Sequence, residues 1–215
     1  ARSWLNENTL TYRKKFRNAH NLTVLAGWTL QGNNEDKWGF AGEQVPNEQL
    51  GISGIDEGTP GKNTSYQSGN RMMSYLGRVD YNYKDRYLFT ATFRADGSSK
   101  FSKDNRWGYF PSAAFAWRLS EEKFMKSVDF INNAKIRISY GQTGNDRIGD
   151  FSRYPQMNMA YGYYYSFNNK TPLPGIGNSS IGNLDLKWET TDQTNVGLDL
   201  EFFSGRIALT VDWYN

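Results

Sequence analysis

The run Tyr87-Leu88-Phe89-Thr90-Ala91-Thr92-Phe93-Arg94-Ala95-Asp96 reads in twos. Tyr87, Phe89, Ala91, Phe93 and Ala95 fall on one face, and Thr90, Thr92, Arg94 and Asp96 on the other. A period of two is the signature of a strand with one apolar and one polar side. The same rule holds on both flanks. Residues 71–83 set Met73, Tyr75, Val79, Tyr81 and Tyr83 against Ser74, Arg78, Asp80 and Asn82. Residues 109–119 set Tyr109, Ala113, Phe115, Trp117 and Leu119 against Ser112, Ala114, Ala116 and Arg118. Near the end, Ile207, Leu209, Val211 and Trp213 oppose Arg206, Thr210, Asp212 and Tyr214. Segments 9–16, 21–31, 133–143 and 190–202 alternate less perfectly, which predicts eight strands in all. Most run to ten or more residues, whereas strands of soluble proteins cluster near five or six and membrane-barrel strands need about nine to eleven.

Connections alternate too. Arg17 to His20, Lys84 to Arg86 and Phe203 to Gly205 are short, while 32–70, 97–107 and 145–187 are long. Short turns at one end and long loops at the other mark outer-membrane barrels. The segment Ser120 to Asn132 falls on the short side by parity, yet reads as a helical turn with Ser120 at its N-cap. Within 145–187, Tyr161 to Phe167 has the composition of a further strand, and the count of spanning strands turns on whether it crosses.

Composition fits this picture. The 215 residues include 14 Tyr, 13 Phe and 7 Trp at a mean hydropathy of −0.74, a density of aromatics that suits strands, sugar-binding surfaces or membrane interfaces. The longest apolar run, Ala113 to Trp117, is far short of the roughly 18 residues of a spanning helix. A net charge of +3 gives no reason to expect nucleic acid. The apolar faces carry no charge across their middles, as hydrocarbon contact requires, whereas Arg78, Asp80, Arg94, Asp96, Lys135, Arg137, Asp199, Glu201 and Asp212 need a wet lumen. Tyr83, Tyr87, Tyr109, Trp188 and Trp213, near strand ends, are the expected interfacial girdles.

Catalytic and metal chemistry find little support. There is no Cys and one His, His20, which reads as a solvated turn residue; neither a catalytic triad nor a zinc site is expected. Asp146 and Asp150 beside Arg147 invite calcium but lack the EF-hand spacing, so turn chemistry is the better reading. Asp96-Gly97-Ser98-Ser99-Lys100 lacks the phosphate-loop frame and reads as a hairpin loop with an Asp-Gly turn. Gly175-Ile176-Gly177 is loop punctuation, and the adjacent Glu121 and Glu122 cannot converge as a glycosidase pair. No cofactor, metal or enzymatic activity is expected. Aromatic loop residues are the candidate contacts for substrate or for a lid protein: Trp38 and Phe40, then Tyr161, Tyr163, Tyr164, Tyr165 and Phe167, with Trp107 at the outer mouth.

Several strings carry a resemblance. They are Tyr87 through Phe101, Asn105-Arg106-Trp107-Gly108-Tyr109-Phe110-Pro111-Ser112, Trp117-Arg118-Leu119-Ser120-Glu121-Glu122-Lys123-Phe124, Ile138-Ser139-Tyr140-Gly141-Gln142-Thr143-Gly144-Asn145, Gly182 through Thr191, and Asn195-Val196-Gly197-Leu198-Asp199. In order and over nearly the whole chain, they resemble the barrel of SusC/RagA-type TonB-dependent outer-membrane transporters. The resemblance implies a 22-stranded barrel with an N-terminal plug. It implies import of glycan fragments or peptides, driven through TonB, under a SusD-like surface lipoprotein. Residues 1–215 would then be one β-barrel segment from the later part of the barrel, without signal peptide or plug, embedded in the outer-membrane lipid of a Gram-negative cell. Two other readings stay open: a complete eight-stranded barrel, and a soluble carbohydrate-binding sandwich.

Overall fold

The computed structural model describes residues 1–159, 164–167, 169–173 and 175–215. One antiparallel sheet of eight strands dominates it. In chain order the strands are β1 (Arg2–Phe16), β2 (His20–Gly39), β3 (Gly42–Glu43), β4 (Thr59–Pro60), β5 (Thr64–Tyr83), β6 (Tyr87–Ser98), β7 (Trp107–Arg118), β8 (Ile131–Asn145), β9 (Gln156–Met159), β10 (Ile176–Ser180), β11 (Glu189–Phe202) and β12 (Ile207–Tyr214). The large sheet runs β1-β2-β5-β6-β7-β8-β11-β12, so each long strand pairs with the next long strand in the chain. This up-and-down meander is the connectivity of an outer-membrane barrel wall. The pairs β3–β4 and β9–β10 are separate ribbons in the long connections.

All eight expected strands are present, and several outgrow their expected bounds; β1 already begins at Arg2. β2 and β5 stay paired out to Gly39 and Thr64, so both ends of the connection expected at 32–70 belong to a protruding hairpin and the loop proper is 40–63. β6 continues through Asp96, Gly97 and Ser98, paired with Ser74, Met73 and Met72. The expected Asp-Gly turn is therefore corrected to strand; the chain reverses only after it, at Ser99–Arg106. The expected N-cap at Ser120 is corrected as well: a single 3₁₀ turn, Leu119–Glu121, starts after Arg118 without any side-chain cap. Among the described residues, 145–187 adds no strand to the large sheet; β9 and β10 pair only with each other, and Tyr165 makes one bridge to Leu173.

Short turns close the opposite end. Arg17 and Asn18, Lys84 and Asp85, and Phe203 and Ser204 are consecutive residues at positive φ, between 46° and 59°. Such pairs give the mirror-image turns whose twist matches that of the flanking strands. In the second turn, the Asn82 side chain compensates for the missing glycine. It accepts from the Asp85 N–H at 2.9 Å and donates to the Asp85 carboxylate at 2.6 Å.

Both edges of the large sheet, β1 and β12, are unpaired on their outer sides. A closed eight-stranded barrel requires them to pair, so that reading is corrected. A sandwich requires a second sheet over the apolar face. Instead Phe89, Phe93, Phe115 and Val211 are 42–52% exposed, and among the described residues the buried apolar ones are only Ala95, Phe101, Phe110 and Ala134. That reading is corrected too. A sheet this apolar on one bare face has its dry partner outside the protein.

Candidate functional site

The polar face is ordered by ion pairs between neighbours of like parity. Arg78 grips Asp80 at 2.9 Å, Arg94 grips Asp96 at 2.8 Å, and Thr90 donates to Asp80 at 2.8 Å. On the far side, Arg137 of β8 reaches Asp199 of β11 at 2.8 Å and Asp212 of β12 at 3.0 Å. The second contact crosses β11 at Gly197, where an added Cβ would stand 2.8 Å from the guanidinium carbon. Only glycine there lets one cation serve two strands. Side chains of these groups keep up to half their exposure, apart from Asp96, so each pair contributes less than about 1 kcal/mol. They lay a hydrated, charge-balanced lining along the face.

At the long-loop end this lining meets a knot of loops. Phe101 is fully buried and lies 5.3 Å from the Trp188 ring, which meets the Phe110 ring edge-on at 5.4 Å. The Trp188 indole donates to the Arg106 carbonyl at 2.9 Å, and Ser102 donates to the Leu184 carbonyl at 2.6 Å. Ser98 donates to Asp146 at 2.9 Å, Lys100 donates to the Asp146 carbonyl at 3.1 Å, and Asn70 donates to Asp150 at 3.0 Å. Asp146 and Asp150 thus tie their loop to residues 46–80 positions away in the chain. Trp188 is corrected from girdle to knot, because its ring packs against the buried Phe101 and Phe110. A depression of 410 Å³ opens between this knot and the polar wall, lined by Thr92, Arg94, Asp96, Phe110, Asp146 and Trp188 among others. Sequence reasoning missed Phe101 and Phe110. Phe110 had one signal, since it is an aromatic at a polar-parity position of β7.

The apolar face ends in two aromatic bands. At the short-turn end, Phe16, His20, Tyr83, Tyr87 and Trp117 sit side by side on five consecutive strands, with successive ring centroids 4.8–6.3 Å apart. His20 is therefore corrected from a solvated turn residue to a band member, with its Nδ1 2.7 Å from the Tyr81 hydroxyl. At the other end, Tyr75 stacks on Trp107 and Phe93 on Tyr109. Ten residues separate Trp107 from Trp117; at the usual strand rise and a tilt of about 40° that is about 25 Å along the membrane normal, the height of a barrel's apolar belt. β1 is an exception on this face, where Asn6 and Asn8 satisfy each other at 2.6 Å.

The expected contact residues divide by place. Trp38 and Phe40 crown the β2–β5 hairpin, 72% and 76% exposed. Tyr164 and Tyr165 lie in the last long connection, with Tyr165 edge-on to Phe167 at 4.8 Å. Tyr161 and Tyr163 fall outside the described residues. Trp107 shares the parity of Tyr109 and Phe115 and faces the apolar side, with Tyr75. No ring contact joins the Trp38 group to the Tyr165 group among the described residues.

Comparison with known proteins settles what this wall is. A sequence model of the TonB dependent receptor-like β-barrel matches residues 2–215. The chain belongs to that family. The TonB-dependent receptors P39 and P3 of Formosa agariphila are 38% and 37% identical to it, over 97% and 98% of this chain and 20% and 21% of their own lengths. The TonB-dependent receptor SusC of Bacteroides thetaiotaomicron is 42% identical over 70% of the chain and 15% of its own length. A solved structure of the RagAB peptide transporter superposes with a TM-score of 0.84 at 25% identity, over 99% of this chain and 23% of its counterpart. The chain thus spans about a fifth of the length of these relatives. As a TonB-dependent receptor barrel of the SusC/RagA type it resides in the outer membrane. Its bare aromatic face meets lipid, its ion-paired face meets the lumen, and its long connections face outside.

At the opposite, short-turn end one acid holds the β7–β8 connection. Glu122 accepts from the Tyr87 hydroxyl at 2.7 Å and from the Trp117 indole at 3.2 Å, with Arg86 at 3.4 Å. These hydrogen bonds, that from Tyr87 foremost, hold its carboxyl below the ordinary value of 4.5.

Proposed function

We propose that residues 1–215 work as barrel wall and outer rim in the uptake of glycan fragments or peptides, powered through TonB and assisted by a SusD-like surface lipoprotein. The observation that supports this reading most is the pairing of an ion-lined lumen face with a rim of bare aromatics. The lining offers polar and charged groups in balance, as passage of hydrophilic cargo needs. No nucleophile or general base is assigned a role. At the rim, Trp38, Phe40, Tyr164 and Tyr165 supply flat faces and hydroxyls for a sugar ring, a peptide or the lipoprotein, and Tyr161 and Tyr163, outside the described residues, are joined to this set from their place in the sequence alone. Large, bare aromatics of this kind act as anchors in interfaces. Trp107, on the lipid side, is left out of this set.

Trp38→Ala and Tyr163→Ala in the full-length chain test the reading. Each removes one aromatic anchor, so lipoprotein or substrate binding falls about tenfold or more, while the amount of folded barrel in the membrane stays unchanged. Equal binding and equal uptake in both variants would remove the rim from the mechanism.

A further inference from the structure

The lipid-facing side of the upper band holds a feature that the uptake reading does not use. A depression of 510 Å³ is lined there by Trp4, Leu30, Met73 and Trp107, with Arg71, Arg106 and Arg153 around it. Its floor is apolar by strand parity, because Leu30 and Met73 are direct partners and Gly97 is the next in line. Its sides are indoles. Trp4 lies over Gly32, where an added Cβ would overlap the ring, and Trp107 lies over Gly97, where a Cβ would stand 3.1 Å away. Gly32 and Gly97 therefore make the space in which the two rings flank the hollow.

Three arginines line this apolar hollow, and among the described residues none forms an ion pair with a carboxylate. Arg71 leaves β5 on the same side as Met73 and Tyr75, one step above the floor, with its backbone fastened to Ser99. Arg106 and Arg153 come from the loops above. Arg153 stacks on Tyr154 at 4.6 Å and donates through Nη1 to the Phe101 carbonyl. The Nε atoms of Arg106 and Arg153 are both buried without a hydrogen-bond partner. Unpaired cations toward the lipid side cost little at interface height and are stabilised by an anionic headgroup at the same level. Guanidinium forks bind phosphate oxygens bidentately, and the indoles and Met73 offer a surface for the first carbons of an acyl chain.

The geometry points to a binding site for the phosphate headgroup of an outer-leaflet lipid, seated between Trp4 and Trp107 and held by Arg71, Arg106 and Arg153. A free phosphate would satisfy the guanidiniums but leave the apolar floor and both indoles without a role. The site lies on the opposite face of the wall from the lumen, so cargo does not pass it.

The test uses the full-length chain in mixed micelles, with dimyristoyl phosphatidic acid as probe, dimyristoyl phosphatidylcholine as its zwitterionic counterpart, and inorganic phosphate as competitor. Saturable retention of phosphatidic acid, read by native mass spectrometry, is expected. Arg71→Gln and Arg106→Gln should each weaken it about tenfold, the scale of one lost charge-assisted hydrogen bond. Arg71→Lys, which keeps the charge but loses the fork, should weaken it less than Arg71→Gln does, and Lys84→Gln at the far end of the wall should change nothing. Heat-modifiable migration confirms that each variant is folded. Equal retention of phosphatidylcholine, or unchanged retention in the folded Arg71→Gln and Arg106→Gln variants, would overturn the assignment. Displacement by equimolar inorganic phosphate would also overturn it, because the site would then take the anion and not the lipid.

Discussion

At the scale of single residues, Glu122 ties the loop after β7 to the lower aromatic band through Tyr87 and Trp117. Its folded pKa is depressed, so its stabilising contribution is complete above the unfolded value of 4.5 and is lost as pH falls through the lower folded value. Acidifying the full-length barrel below the ordinary carboxylate value of 4.5 should therefore loosen residues 119–130 before the strands respond. Hydrogen exchange of the Trp117 indole N–H, followed against pH, reads this directly. Glu122→Gln should flatten the pH response, since an amide still accepts from Tyr87 but does not titrate; a Gln variant that keeps the wild-type acid transition would reject the assignment. None of this was legible in the sequence. Glu122 stood out there only as one of two adjacent acids, and its partners lie 35 and 5 residues away. Trp188 teaches the same lesson from the other side, because the aromatic residue at a strand end fits a girdle until Phe101 and Phe110 form a dry pocket beside it.

At the scale of the strand, β7 offers a controlled comparison of its two faces. Ala113 and Ala114 are consecutive, equally small and near mid-height between Trp107 and Trp117, but alternation turns Ala113 to lipid and Ala114 to the lumen. Arginine at the bilayer midplane of a barrel costs about 2–4 kcal/mol on the lipid face. Ala113→Arg should lower the unfolding free energy in lipid by about that amount, and Ala114→Arg by less than about 1 kcal/mol. Denaturant titration in vesicles measures both, and equal losses would mean that the faces were assigned wrongly. This alternation is why all eight strands could be read in the sequence. It also marks where reading failed: Asn33-Asn34-Glu35-Asp36 is polar on both faces, because that part of β2 stands above the membrane and has neither lipid nor a core to select a side. Asp96-Gly97 failed for a different reason. The pair has the composition of a hairpin turn, but here Gly97 is needed to admit the Trp107 ring, and Asp96 is needed for Arg94.

At the scale of the whole molecule, pairing along the sheet is continuous from β1 to β12 and stops at both. Every residue of β1 and of β12 is exposed, and each edge presents a row of unpaired N–H and C=O groups. Within hydrocarbon such groups are costly, and water cannot serve them there. The two edges do not meet each other, so they must be covered by further strands of a longer chain or by another copy of this one. Residues 1–215 produced alone and folded into vesicles should consequently pair edge to edge. Cross-linking should give dimers and higher species that lack the heat-modifiable band of a closed single-chain barrel. Full-length protein, prepared identically, should give that band and no ladder of species. A single 24.7 kDa monomer, heat-modifiable and resistant to cross-linking, would show that the sheet closes on itself after all, with β1 hydrogen-bonded to β12. The lumen would then be too narrow for cargo, since eight strands leave an interior that side chains fill, and the polar lining of Arg78, Arg94 and Arg137 would be packing and not passage.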